Sequence, residues 1–410
     1  MTRKCYLEYY SRIGTKSTDL RDKKLAGSGQ FREGNQQWQK RAKKDYIERQ
    51  YENDSDEKRR RYVELFNSDP AYTPTPPLPT PKPLDNIDAY FTGLGDGSRE
   101  YLGLKTGLKE LDTLISGLQK FVLFAGAGGT GKSTLAMQLA AGVIEHEQCP
   151  VIYYSFEMDK FDAYTMLAQL AASKINEQLS KSDILLHGND PQRPDIITKI
   201  AKAKLKMSEY SNLLYVLGHD DAGDLANMEI QIKDIMAKHS SDKALVVIDS
   251  VQDVLIPGLS GTESEAATAA AITAIQQSTG ATILGISQKS KSGWTNNGYG
   301  SVLGSISWVH KPTTVVEFIG IREAIASLPK KDQSIFYKLS NNNNMPQPVI
   351  GRVIKGRNTG YGQIALKFYG KHGYFEAGRV KDYDTEPSIY RALHFPEESR
   401  YEQVLKAAQS

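Results

Sequence analysis

Glycines at 126, 128, 129 and 131 sit just ahead of a lysine and a hydroxyl in Gly126-Ala127-Gly128-Gly129-Thr130-Gly131-Lys132-Ser133. This spacing, G-x4-G-K-[ST], suits the holding of a phosphate chain. Small residues let successive backbone N–H groups turn inward, Lys132 supplies a cation, and the Ser133 hydroxyl can ligate Mg2+. With Thr134 the motif opens a helix, whose N-terminal dipole end also favours an anion. A bare glycine turn is the plainer reading, but an apolar run ahead and an amphipathic run behind are the context the phosphate motif requires. Such a loop needs a magnesium partner at the end of a neighbouring strand, and Leu245-Val246-Val247-Ile248-Asp249 supplies Asp249. Hydrolysis also needs a base or a group that positions water, and Tyr153-Tyr154-Ser155-Phe156-Glu157 ends another apolar run in Glu157. Taken alone, a strand-end acid is more often an ordinary cap. Beside the loop, Asp249 reads as functional, while Glu157 stands evenly between base and surface acid.

These groups act together only if strand ends converge. Short β-branched runs alternate with helical patterns after residue 83, which predicts a parallel sheet with helices on both faces. The strands are expected at 121–125, 151–155, 213–217, 244–249, 281–287 and 313–318. The helices are expected at 132–145, 161–175, 194–207, 226–239 and 263–278, the last opened by a capping box of Thr262 and Glu265. Runs at 335–339, 349–355, 363–369 and 373–377, separated by Asn- and Gly-rich turns, predict antiparallel hairpins that extend the sheet. Seven prolines between Pro70 and Pro83 predict an extended linker over 70–83. The domains are therefore a basic region at 1–69, partly helical or disordered, the linker, an α/β domain at 84–378 and a polar tail at 379–410.

Composition narrows the class. The 410 residues carry 51 Lys or Arg against 48 Asp or Glu, so a net +3 excludes a polybasic protein bound by bulk electrostatics. The basic excess lies in 1–69, with 17 basic and 12 acidic residues. Cys5 and Cys149 are too few for a disulfide scaffold or a cysteine zinc site, and the seven histidines show no metal-ligand spacing. A reducing, cytoplasmic compartment is expected, with neither a secretion signal nor a membrane span.

Thr106-Gly107-Leu108-Lys109-Glu110-Leu111-Asp112, the phosphate loop, Ser155-Phe156-Glu157-Met158, Ile248-Asp249-Ser250-Val251-Gln252 and Ile286-Ser287-Gln288 together resemble the RecA-fold core of DnaB-type replicative helicases over about 101–378. Lys355-Gly356-Arg357-Asn358-Thr359-Gly360-Tyr361-Gly362 resembles their K-x-R-N-G-x-x-G hairpin, with Thr359 in place of its first glycine. The resemblance implies a RecA-like P-loop fold that uses ATP and Mg2+. It implies Glu157 as catalytic carboxylate, Gln288 as sensor of the γ-phosphate, and Lys355 and Arg357 reaching a neighbour's ATP across a subunit boundary. It also implies a homo-oligomer, a hexameric ring on single-stranded DNA that unwinds duplex during replication. Lys289, Lys291 and Trp294 fall where the family lines its pore, and lysines with an aromatic suit phosphates and bases, although composition alone fits a plain surface loop equally well. A RecA/RadA-like repair ATPase without processive unwinding and a KaiC-like regulatory ATPase stay open as alternatives. Residues 1–69 do not resemble the helical N-terminal domain of bacterial DnaB, so a loader or primase contact there is expected on different terms. The stretch 306–312 lacks the acidic residues common at that place in the family.

Overall fold

A parallel strand covered by helices on both faces shows nothing to water, so its sequence reads as a continuous apolar run rather than an alternation. In the computed structural model this holds for β1 (Phe121–Gly126), β2 (Val151–Ser155) and β4 (Leu245–Asp249), buried at every residue. Described residues are 99–222, 224–254, 256, 259–289, 307–320, 346–359 and 361–378, all within the compact unit Gly97–Ser410. The expected region 1–69, the linker 70–83, the domain start at 84, the strand 335–339, the tail 379–410, Lys291 and Trp294 lie outside them.

In chain order the other strands are β3 (Leu214–Leu217), β5 (Thr282–Gln288), β6 (Thr314–Gly320), β7 (Gln347–Gly356), β8 (Gln363–Tyr369) and β9 (Tyr374–Gly378). The helices are α1 (Lys109–Ile115), α2 (Lys132–Glu147), α3 (Lys160–Lys174), α4 (Lys181–His187), α5 (Pro194–Ser208), α6 (Leu225–Lys238) and α7 (Gly261–Thr279), with single turns at Ser307–His310 and elsewhere. The sheet order is β3-β2-β4-β5-β1-β6-β7-β8-β9. Every pairing from β3 to β6 is parallel, and β7, β8 and β9 add antiparallel strands, as the hairpin pattern requires.

Successive side chains of a strand point to opposite faces. Val122 and Phe124 thus join Leu111, Ile115, Leu135, Leu139, Leu167 and Leu170 of α1, α2 and α3 on one face. Leu123 and Ala125 join Met228, Ile232, Ala269 and Ile272 of α6 and α7 on the other. Each such aliphatic side chain contributes about 1.5–3 kcal/mol on burial, so the two layers dominate the energetics of the domain.

Two helices escape the periodicity. Both α1 and α4 have seven residues, too few to show a stripe, yet α4 carries a local signal in the capping box of Ser180 and Asp183. The box expected at Thr262 and Glu265 is corrected. The N-cap of α7 is Ser260, so Thr262 already lies inside the helix, and Glu265 Oε2 is buried without a partner. The Thr106–Asp112 strap serves as scaffold. Buried Asp112 accepts from the Thr106 N–H and hydroxyl and from the Gly107 N–H. The strap lies so close to α2 that a Cβ on Gly142 would stand 1.7 Å from the Thr106 carbonyl oxygen. Among the described residues no helix is long and apolar enough to cross a membrane.

Candidate nucleotide-binding site

Strands β2, β4, β5 and β1 are successive neighbours running in one direction, so their carboxyl ends line a single edge of the sheet. Ser155 pairs with Asp249, Asp249 with Ile286, and Gln288 with Gly126. Glu157, Asp249, Gln288 and the phosphate loop therefore stand side by side, spread over roughly 15 Å at the usual strand spacing. Backbone bonds lock the ends together. The N–H groups of Phe156 (2.6 Å) and Glu157 (3.1 Å) donate to the Asp249 carbonyl oxygen, and the Lys289 N–H donates to that of Gly126 (3.0 Å).

The loop has the shape its glycines allow. Gly129 and Gly131 have φ of 79° and 80°, a region costly for other residues, and a Cβ on Gly128 or Gly129 would meet open space. Gly131 is the N-cap of α2 and brings no side-chain cap, so the first-turn N–H groups keep their capacity to bind an anion. The buried Lys132 ammonium donates to the carbonyl oxygens of Gly126 (2.9 Å) and Ala127 (2.8 Å), and Thr130 closes the loop onto Ala127 O (3.0 Å). Thr134 turns its hydroxyl to Met166 Sδ (3.9 Å).

Asp249 is fully buried. Burial pushes its pKa up, and the Tyr153 hydrogen bond, the nearby Ser133 hydroxyl and Lys132 oppose that shift, while Glu157 reinforces it. Tyr153 Oη donates to Oδ2 at 2.7 Å, whereas Oδ1 has no hydrogen-bond partner. No trio of His, Cys, Asp or Glu is grouped for a metal among the described residues. Magnesium carried with phosphate needs less, because phosphate and water supply most of its oxygen ligands. An orphaned carboxylate oxygen beside the Ser133 hydroxyl fits that ion.

At the outer rim, Gln288 Nε2 donates to Glu157 Oε1 at 2.7 Å, and both side chains are exposed. Gln252, a residue to which sequence reasoning gave no role, positions this pair. It donates to Ser287 Oγ (2.5 Å) and Gln288 O (3.2 Å) and accepts from the Gln288 N–H (3.4 Å).

Lys289 requires a correction. Alternation along β5 sends Gln288 into the crevice and the next residue to the opposite face, where the Lys289 ammonium pairs with buried Glu317. Arg352, directly across the ladder from Glu317, reaches its other oxygen through Nη2 (2.6 Å). A lysine only 4% exposed and paired in this way holds the sheet together and is not a DNA contact. Burial alone would raise the Glu317 pKa, but Lys289 and Arg352 bring it below the ordinary value. Its stabilising contribution is therefore whole above that ordinary value and is lost as the pH falls through the depressed one. Glu317→Ala is expected to cost about 3–5 kcal/mol, because it removes the buried carboxylate that Lys289 and Arg352 share. A chemical denaturation midpoint unchanged from the parent would refute this role.

Lys355 and Arg357 stand apart from the crevice and close to each other, both reaching the His310 carbonyl oxygen. Lys355 pairs with Val315 in the ladder, and the Arg357 N–H bonds Thr313 O (3.2 Å), level with the start of β1. The phosphate loop lies at the far end of that strand, roughly 17 Å away. Neither residue can serve the site of its own chain. Within its own chain the Lys355 ammonium donates to the carbonyl oxygens of Val309 (2.7 Å), His310 (2.6 Å) and Pro312 (2.6 Å). Burial and the charge of Arg357 bring its pKa down to about 8. Arg357 keeps an exposed guanidinium with one long bond to His310 O (3.4 Å).

Fold and crevice together define a RecA-like P-loop core. Residues 103–377 match the DnaB-like helicase C terminal domain family, and the chain belongs to that family. Among curated relatives, the replicative DNA helicase DnaB of Leifsonia xyli subsp. xyli (strain CTCB07) is 29% identical over 172 residues, covering 41% of this chain and 34% of the relative. A probable replicative DNA helicase of Trieres chinensis is 32% identical over 69 residues, covering 16% of this chain and 15% of the relative. The chain thus aligns with about a third or less of their lengths. Of solved structures, one described as an ATPase domain has a TM-score of 0.58 at 17% identity, covering 72% of this chain and 97% of that one. A DnaB-like replicative helicase described with its interactions with primase has a TM-score of 0.57 at 16% identity, covering 86% and 81%. At these identities the two structures establish the fold.

Proposed function

We propose that the chain is the motor of an ATP-dependent replicative DNA helicase, a homo-oligomeric, hexameric ring that moves on single-stranded DNA and separates duplex. One observation carries this reading: in a chain of the DnaB-like family, four adjacent strand ends bring Lys132, Ser133, Asp249, Glu157 and Gln288 to one crevice. Lys132 and the loop N–H groups bind and neutralise the phosphates of ATP. Ser133 and Asp249 hold Mg2+, which when bound offsets charge on the phosphate oxygens. Glu157 orients the attacking water and receives its proton through the oxygen that Gln288 leaves free. Arg357 completes a neighbour's site, where a cation stabilises charge on the transferring phosphoryl group, and Lys355 anchors the hairpin that carries it. The distance of Arg357 from its own loop supports assembly as a condition for turnover. A loader or primase contact through residues 1–69 belongs to the same proposal, with the solved relative described with primase as precedent.

The test is steady-state ATP turnover with and without single-stranded DNA at one fixed salt concentration, followed by strand separation on a forked duplex. Strong DNA stimulation, fork unwinding, and loss of both in Lys132→Ala through weakened nucleotide binding are expected. Stimulation without unwinding would favour the repair ATPase, and turnover indifferent to DNA the regulatory one.

A further inference from the structure

Tyr153 is a fully buried tyrosine of β2 set among the apolar side chains that face α2. A phenylalanine would fill that space as well, and burying a hydroxyl is costly unless it finds a partner. The partner here is Asp249 Oδ2, 2.7 Å away. The same hydroxyl stands 3.4 Å from the backbone oxygen of Ser133, so it lies between the carboxylate and the end of the phosphate loop. Its proton can satisfy one carboxylate oxygen only, which leaves the buried Oδ1 without a partner. A carboxylate has several acceptor sites and two oxygens on a freely turning bond, so a donor fixed on one oxygen sets which lone pairs remain and where they point.

Resting on the magnesium–nucleotide reading above, we propose that Tyr153 is a positioning residue for the metal-binding carboxylate. It clamps Asp249 through Oδ2, so that a divalent cation meets Oδ1 and the Ser133 hydroxyl in a preset, one-oxygen geometry. A partner of this kind, bonded to a ligand but not to the ion, typically changes metal affinity by roughly 10–100-fold when removed. It acts on the metal without touching the phosphates, which are held by the loop and Lys132. Binding of nucleotide without metal is therefore independent of Tyr153.

The experiment uses the full chain and a fluorescent ATP analogue, titrated with Mg2+ and, separately, in excess EDTA. Tyr153→Phe is expected to raise the Mg2+ concentration for half-saturation by roughly 10–100-fold while leaving the metal-free affinity for the analogue unchanged. In an Asp249→Asn background, the same change is expected to have no additional effect, because the group it positions is gone. That background also removes the buried charge and keeps the measurement possible if Tyr153→Phe alone does not fold. An unchanged half-saturation in Tyr153→Phe, an equal loss of metal-free binding, or a further loss in the Asp249→Asn background would each overturn the proposal. If Asp249→Asn itself leaves the Mg2+ dependence untouched, the assignment of Asp249 as a metal ligand falls too.

Discussion

Glu157→Gln binds ATP as tightly as the parent chain and turns it over roughly 10²–10⁴ times more slowly, the usual contribution of a positioned general base. The substitution isolates chemistry from architecture. The new side chain keeps an oxygen able to accept from Gln288 Nε2, now 2.7 Å from Glu157 Oε1, and the backbone N–H of residue 157 still bonds Asp249 O. What disappears is the charge and the ability to take a proton from water. A pre-steady-state comparison of binding and single-turnover hydrolysis checks this, and turnover within a few-fold of the parent would remove Glu157 from the chemistry. Because the loop and Asp249 are intact, the variant is also expected to trap the assembled, ATP-bound form.

Arg357→Ala leaves nucleotide affinity of the isolated subunit unchanged and lowers DNA-stimulated turnover by roughly 10³-fold or more, the range found when a cation delivered to the transferring phosphoryl group is lost. The geometry makes this a statement about assembly. Arg357 sits level with the first residue of β1 and its own loop follows the last, so any phosphate it touches belongs to another copy. Mixing decides the matter. Subunits carrying Arg357→Ala have a sound loop, and subunits carrying Lys132→Ala have a sound arginine. If the proposed assembly forms, mixtures contain some complete interfaces, and part of the turnover is expected to return. A mixture as inactive as its components would show that Arg357 does not act across an interface.

Local chemistry in the sequence was enough for much of this. The phosphate loop is written in eight consecutive residues, and its glycines at positive φ are dictated by steric limits that hold in any fold. Strands β1, β2, β4 and β5 appeared as apolar runs within a residue or so of their observed ends, because burial on both faces leaves a continuous signature. Asp249 and Glu157 were recognisable as acids closing such runs. Resemblance to one family supplied Gln288 and the Lys355–Arg357 hairpin, which composition and spacing leave neutral.

The tertiary structure decided what depends on contacts distant in sequence. Nothing local states that β4 and β5 insert between β2 and β1, yet only that order places Glu157, Asp249 and Gln288 beside the loop. Lys289 looked like a solvent-facing lysine, and its place is set by the ion pair with an acid 28 residues onward. Tyr153 looked like one more aromatic in a hydrophobic strand, since its hydroxyl acquires meaning only from a carboxylate 96 positions away. Lys355 and Arg357 read alike in the sequence; a cup of three carbonyl oxygens separates them, claiming one and leaving the other exposed. Periodicity and turn chemistry act over a few residues and so can be read directly, whereas the partner of a buried charge or hydroxyl is fixed by how the strands are ordered and in what register.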